Sequence, residues 1–279
     1  MEIAYDDNAL RLYAENAMLV SSNNNILIDQ YLENAIEIDV DLIRDQNGKI
    51  FIAGIMEHIE EAGIHSGDSA CVMPPQSISK KLEKEVIRIS KKVAKEMRIV
   101  GAANLQLAIK DSKVFLLEAN PRASRTLPFV SKSTGYPLAR LAVRAMLGQK
   151  LNEIPKIIKM KGASVKVPTF SWLKITGLDT VLGPEMKSTG EAMGHGPTFG
   201  TAYLKAMKGG NKTIPTAGTV FLSVSNKLKL EFGDVAQELR ELGFKLIATK
   251  GTAAHLRKKG IDSEAVSYTH LTLPTILLV

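Results

Sequence analysis

The run Asn104-Leu105-Gln106-Leu107-Ala108-Ile109-Lys110-Asp111-Ser112-Lys113-Val114-Phe115-Leu116-Leu117-Glu118-Ala119-Asn120-Pro121-Arg122-Ala123-Ser124-Arg125 reads as two strands around a short turn, with an arginine-bearing loop where the second strand ends. Apolar and polar residues alternate on both sides of Asp111-Ser112-Lys113, which is the two-residue period of a strand with one buried face. A three-residue loop pairs Lys110 with Val114, setting Gln106 opposite Glu118 and Asn104 opposite Asn120 on one face. Leu105, Leu107, Ile109, Phe115, Leu117 and Ala119 then share the other face. A two-residue loop would mix these sets, so the apolar pattern selects the first register.

The polar face gathers one carboxylate with amide oxygens beside it. That suits Mg²⁺ shared with nucleotide phosphates better than a closed protein cage, because Mg²⁺ keeps waters and takes few protein ligands. A hairpin with one exposed polar face accounts for the same pattern without any metal. Arg122 and Arg125 follow at once. Guanidinium forks match phosphate or carboxylate geometry, although two arginines at a strand end are usually surface charges.

Working outward, Ile26 to Ile59 is strand-like, with Ile36, Ile38, Val40 and Leu42 alternating against Glu37, Asp39 and Asp41. Asp45-Gln46-Asn47-Gly48 supplies turn chemistry before Ile50–Ile55, which predicts a hairpin. Glu57 to Ser69 then concentrates acids, two histidines, hydroxyls and glycines in one loop able to wrap a ligand closely. His58 and His65 among those acids also raise zinc, but histidines in such loops are more often hydrogen-bonded structural residues. Leu82, Val86, Ile89, Val93 and Met97 fall at helical spacing and predict an amphipathic helix over 79–97. A further helix is expected near Pro137–Leu147, and Gly148–Lys161, with Pro155, reads as a return segment. A domain boundary is placed at Gly209-Gly210-Asn211-Lys212. Beyond it come a strand (219–224), a helix (232–242), a strand (244–249) and a helix (252–258), a βαβα order that implies a parallel sheet. The final stretch, Ser267–Val279, breaks this grammar and is read as a non-native tail.

The whole sequence has 279 residues, 45% of them apolar, which is enough for two domains. Its formal net charge of +7 rests largely on lysines of the 79–97 helix, interleaved with Glu83, Glu85 and Glu96. That is the pattern of a solvated helix face, and with sparse aromatics it argues against nucleic acid. A lone cysteine, Cys71, excludes an intrachain disulfide and a thiolate cluster, and no apolar run reaches membrane-spanning length. These features predict a cytoplasmic protein.

Taken together, Glu37–Asp41, Ile55–Ser69 and Leu117–Thr126 resemble the ATP-grasp core of carbamoyl phosphate synthetase in order and spacing, over roughly residues 1–266. Glu-x-Asn-Pro-Arg is shared by many ATP-grasp enzymes, whereas the His-Ser-Gly-Asp-Ser loop and Arg125–Lys132 point to this family. Gly183–Glu191 and the Thr249 region resemble the passage from the second ATP-grasp half of the large subunit into its methylglyoxal synthase-like regulatory domain. The resemblance implies an α/β chain: an ATP-grasp carboxy-terminal lobe (1–210), lacking the preceding lobe, then a truncated three-layer regulatory domain (211–266). It further implies ATP-dependent phosphorylation of carbamate for arginine and pyrimidine biosynthesis, with a glutamine amidotransferase subunit as partner, a nucleotide effector and room for a homo-oligomer.

By the same resemblance, Gln106, Glu118 and Asn120 would hold Mg²⁺, or Mn²⁺ in its place. Gln30, Leu32, Glu37, Gly63, Ile64, His65, Ser66, Gln106 and Glu118 would line ATP. Arg122 and Arg125 would face the transferring phosphoryl group with His58 close to carbamate, and Ser223, Lys229, Thr249 and Thr252 would meet the effector's phosphate. Two rivals remain. A biotin-carboxylase-like enzyme shares Glu118, Asn120 and Arg122, but the chain carries no Ala-Met-Lys-Met biotin acceptor; a nucleotide-sensing module without turnover is the other.

Overall fold

The alternation in Ile36–Arg44 builds the strand on which the first domain turns. In the computed structural model, which describes residues 3–21, 25–151, 161–172, 180–226 and 228–266, this is β1. It pairs antiparallel with β2 (Ile50–His58) on one side and β4 (Gly101–Lys110) on the other. Its apolar residues Ile38, Val40 and Leu42 meet Leu105, Leu107 and Ile109 of β4 in one buried cluster. Helix α2 (Lys80–Glu96) closes that cluster with Val86, Ala94 and the half-buried Leu82, Ile89 and Val93; Ser79 caps it by accepting from the Leu82 amide at 3.3 Å. Met97, expected on the stripe, lies at the C-cap and is exposed, because the helix ends before that turn is covered.

The chain divides into two units, Met1–Lys212 and Thr213–Val279. The first holds a seven-stranded antiparallel sheet in the order β5-β4-β1-β2-β3-β6-β7, with β3 at Cys71–Met73, β5 at Lys113–Asn120, β6 at Ala163–Thr169 and β7 at Gly190–Gly196. Helices α3 (Leu127–Thr134) and α4 (Leu138–Met146) cover the other face beside β1 and β2, packing Leu127, Phe129, Val130 and Leu138 against Ile43, Met56 and Met73. Helix α5 (Phe199–Gly209) lies on β6 and β7 through Ala202 and Ala206. Gly194 makes that approach possible, since a Cβ there would sit 2.1 Å from the Ala202 carbonyl oxygen. An amino-terminal helix, α1 (Asp7–Val20), buries none of its residues.

The β4–β5 hairpin corrects the expected register in one half and keeps it in the other. Asn104 faces Asn120 and Gln106 faces Glu118, but Lys110 pairs with Lys113 and Leu107 with Leu116, so a bulge absorbs one residue of β5. The turn is the two-residue Asp111-Ser112, both at positive φ (50° and 60°), as a primed hairpin turn requires. Phe115 consequently faces the same way as Ala108, and Phe115, Leu116 and Leu117 are all exposed on the edge strand instead of sharing a buried face. Strand structure also begins at Ile36 and not at Ile26; Leu27 and Ile28 stand in solvent with no sheet to join.

The second unit is a parallel sheet, order β10-β9-β8, from β8 (Thr219–Leu222), β9 (Lys245–Thr249) and β10 (Glu264–Val266). Helices α6 (Lys229–Glu241) and α7 (Lys250–Lys258) supply Ala236, Ala253 and Leu256 to its core with Leu222, Leu246 and Ala248. The βαβα reading holds there, and the chain as a whole is α/β. Most of the return segment (152–160) and the tail Ser267–Val279 lie outside the described residues. Among those described, no helix is long and apolar enough to cross a membrane.

Candidate active site

Pairing across β1, β4 and β5 lays polar residues out in two rows. Asp39 faces Gln106, which faces Glu118; two pairs along, on the same face, Asp41 faces Asn104, which faces Asn120. Glu118 is exposed, and Gln106 and Asn120 are half-buried. The row therefore ends in a free carboxylate with two amide side chains nearby, a donor set that fits one Mg²⁺ sharing its shell with phosphate and water. Among the described residues no three His, Cys, Asp or Glu side chains gather into a metal cage. Asn104 departs from its expected place among the donors: it is buried, and its amide donates to Asp41 at 3.0 Å.

The loop after β2 is fastened over the sheet by this polar face. Gln106 Nε2 donates to Ser66 Oγ at 3.0 Å, and the Gly63 amide donates to Glu37 Oε1 at 3.0 Å. Gly63 holds φ +96°, and a Cβ there would press Tyr31 at 3.1 Å, so both conformation and space call for glycine. Tyr31 in turn donates to the Ala62 carbonyl at 2.9 Å, and Leu32 packs against Ala35, Ala62 and Ala108. Gln30 is exposed on the same segment. The backbone amide of Gly67 donates to His65 Nδ1 at 3.0 Å, which puts the ring proton on Nε2 and leaves that nitrogen as a donor. Ile64, His65 and Ser66 are half-buried, open enough to meet a ligand.

His58 lies beneath these groups. Its Nδ1 is 3.3 Å from Glu37 Oε2 and its Nε2 is 3.3 Å from Asp39 Oδ2, with side-chain exposures of 2% for His58 and 3% for Asp39. Neither ring nitrogen meets hydrogen-bond angles, so the contact is ionic and not directional. Burial alone would lower the imidazole pKa, but the Cys71 sulfur and the Asp39 carboxylate outweigh it and hold His58 well above its ordinary value. His58 is thus a buried side chain held against Glu37 and Asp39.

Three supports were given no role by the sequence. Lys166 on β6 is 1% exposed and donates from Nζ to the Ser66 carbonyl at 3.3 Å. It also helps Glu60: burial raises that carboxyl's pKa, while the Ala70 amide, His58 and Lys166 pull it back. A lone lysine inside the apolar run Ala163-Ser164-Val165-Lys166-Val167 was the available clue. Asp68 is fully buried and accepts from the Lys187 and Ser188 amides at 2.7 and 2.8 Å, while His65 N donates to Gly183 O at 2.8 Å. The segment 183–188 is thus a wall of this site, with Met186 against the Arg125 guanidinium. Asp41 is the third.

Arg122 and Arg125 are exposed on the loop leaving β5; Arg122 Nη2 donates to Asn120 Oδ1 at 3.2 Å. In the second unit, Thr249 Oγ1 donates to Thr252 Oγ1 at 3.1 Å, and Thr252 Oγ1 accepts from the Val224 amide at 3.2 Å, next to the exposed Ser223. Lys229 Nζ, bonded to Asn226 Oδ1 at 2.6 Å, lies 3.3 Å from where a Gly251 side chain would begin. These four residues gather at the amino-terminal end of α7, where free amides and the helix dipole favour an anion.

Comparison with known proteins follows the same division. Residues 1–154 match the model of the carbamoyl-phosphate synthase L chain ATP binding domain, and residues 231–274 match the MGS-like domain. The carbamoyl phosphate synthase large chain, C-terminal section, of Methanocaldococcus jannaschii is 50% identical over 275 residues, covering 94% of this chain and 44% of the relative. The large chain of Pasteurella multocida is 46% identical over 279 residues, covering 99% of this chain and 26% of the relative. The chain thus spans under half the length of either. Among solved structures, the biotin carboxylase domain of Hydrogenobacter thermophilus 2-oxoglutarate carboxylase, in complex with MgADP, ADP and bicarbonate, has TM-score 0.59 at 16% identity, covering 75% of this chain and 52% of that one. That likeness concerns the fold.

Proposed function

The chain belongs to the carbamoyl-phosphate synthase large-chain family, and within it we propose that residues 1–210 are the carboxy-terminal lobe of the ATP-grasp half that phosphorylates carbamate. Residues 211–266 would be part of the regulatory domain, whose family match runs on to residue 274. The observation that carries the reading is the row Gln106–Glu118, with Asn120 two pairs on and two guanidiniums at the strand end, beneath a loop tied to Glu37 and Gln106.

Phosphoryl transfer asks a protein for positioning and charge neutralisation more than for covalent chemistry. A carbamate oxygen attacks the γ-phosphorus in line, the bond to the β–γ bridging oxygen breaks, and carbamoyl phosphate and ADP result. Glu118, with Gln106 and Asn120, would hold Mg²⁺ or Mn²⁺, whose chemistry is to neutralise the phosphate oxygens. Arg122 and Arg125 would take up charge developing on the transferring group. Gln30, Leu32, Glu37 and Gly63–Ser66 would line the nucleotide, with His65 Nε2 free to donate. His58 would act from beneath, through the two carboxylates it touches.

Ser223, Lys229, Thr249 and Thr252 would receive the phosphate of a nucleotide effector. A glutamine-hydrolysing subunit would supply ammonia, in the cytoplasm, for arginine and pyrimidine synthesis. A biotin-carboxylase-like reading is weaker, since the MGS-like match belongs with the large chain. The test is a hybrid in which this chain replaces the matching 26% of the Pasteurella multocida large chain. It should form ATP from carbamoyl phosphate and MgADP, the reverse of the proposed step; a folded hybrid without that reaction overturns the reading.

A further inference from the structure

Asp41 is fully buried, on a strand flanked by β2 and β4. Its carboxylate collects three donors: Asn104 Nδ2 at 3.0 Å and Ser124 Oγ at 2.8 Å on Oδ1, and Thr126 Oγ1 at 2.8 Å on Oδ2. Two of them come from a loop more than eighty residues away in sequence. We propose that Asp41 is the positioning residue for that loop, clamping Ser124 and Thr126 on either side of Arg125 so that the guanidinium is held toward the transferring phosphoryl group.

Three observations carry this. The loop from Pro121 to Thr126 has no regular structure, and its backbone bonds are short-range: Arg122 N to Asn120 O at 2.8 Å and Leu127 N to Ser124 O at 3.4 Å. Left to these, a chain ending in an exposed arginine would wander. Thr126 is also the N-cap of α3, but its backbone is helical (φ −77°, ψ −16°) and its hydroxyl makes no cap bond to the helix; it points instead at Asp41. Finally, an ionised acceptor takes both hydroxyls in short, strong bonds, which a neutral one does less well. Transition-state clamps need such stiffness, because about 1 Å of misplacement costs on the order of 100-fold in rate.

The inference rests on the proposed phosphoryl-transfer reading, so its test has one arm that needs no activity. In the 279-residue chain, Asp41→Ala should speed amide hydrogen exchange at Leu127 and Val130 by at least ~10-fold while the α2 amides of Val86 and Ala94 keep their protection. In the hybrid large chain the same variant should lower kcat for ATP formation by ~30-fold or more, with KM for MgADP changed less than ~3-fold, and Asp41→Asn, which keeps the shape and one acceptor oxygen but not the charge, should recover part of it. Should Asp41→Ala not fold, Thr126→Val removes one anchor from the loop side and should give the same split at smaller size. Equal acceleration at α2, or unchanged kcat in a hybrid that Glu118→Gln disables, overturns the proposal. A hybrid insensitive to Glu118→Gln overturns the reading of the site instead, while the exchange result still decides whether Asp41 holds the loop.

Discussion

Replacing Asp41 by asparagine should make the stability of the first unit fall more steeply in acid. Burial raises the Asp41 carboxyl from 3.8 to about 6, against the lowering effect of Asn104, Ser124 and Thr126 and with a smaller push from Asp39. Two pKa units are worth about 3 kcal/mol of difference between protonation states. The sign follows from proton binding. Between pH 3.8 and about 6 the folded state keeps a proton that the unfolded chain has released, so stability falls as pH rises through that window and stays lower above it. Asparagine has no such step and mimics the protonated side chain. The stability of Asp41→Asn minus that of the parent should therefore be larger at pH 7.5 than at pH 4 by about 2 kcal/mol, since at pH 4 the unfolded carboxyl is already partly protonated. Urea unfolding followed by the fluorescence of Trp172, the sole tryptophan and a residue of the first unit, measures it. Taking the difference between variants cancels every other titrating group. A pH-independent difference, or one of opposite sign, would refute the claim that this carboxylate is ionised at a cost.

Lys166→Met should leave the unfolding midpoint of the first unit within about 1 kcal/mol, because relief of a buried ammonium offsets the lost bond to Ser66. The same change should slow the hybrid's ATP formation at least ~10-fold by loosening the His65–Ser66 loop, and an unaffected rate would remove Lys166 from the site. Gly194→Ala should cost several kcal/mol, about the scale of severe overpacking, since its methyl would meet α5 backbone at 2.1 and 2.4 Å. A circular-dichroism melt within a few degrees of the parent would show that α5 can shift away. Thr252→Val should abolish protection of the second unit by inorganic phosphate in thermal melts, and persistence of that protection would move the anion site elsewhere.

Much of the site was legible because its residues lie on strands with strict alternation. The period placed Gln106 opposite Glu118 and Asn104 opposite Asn120, and the structure keeps both pairs. The turn went wrong for a local reason: Asp111 and Ser112 both accept positive φ, and a bulge restores the register immediately before the Gln106–Glu118 pair. An apolar pattern alone cannot count a bulged residue. Alternation also marked Glu37, Asp39 and Asp41 as one face but could not say that Asp39 and Asp41 would be buried, because His58 meets Asp39 from the neighbouring strand and Ser124 and Thr126 meet Asp41 from far along the chain. Helix α3 was missed although Pro128 sits in its first turn, since its eight residues are too few for a period to show. Lys166 and Asp68 are long-range supports whose partners no spacing rule connects.

The central claim, that this section phosphorylates carbamate on the Glu118 row, is tested most directly by two partial reactions of one enzyme. In the hybrid large chain, Glu118→Gln should depress ATP formation from carbamoyl phosphate and MgADP by on the order of 100-fold or more, because a charge bridging metal and phosphate is lost. Bicarbonate-dependent ATP hydrolysis, assigned to the other ATP-grasp half, should stay within about 2-fold of the parent hybrid. Loss of the bicarbonate reaction with carbamoyl phosphate-dependent ATP formation intact would contradict the account.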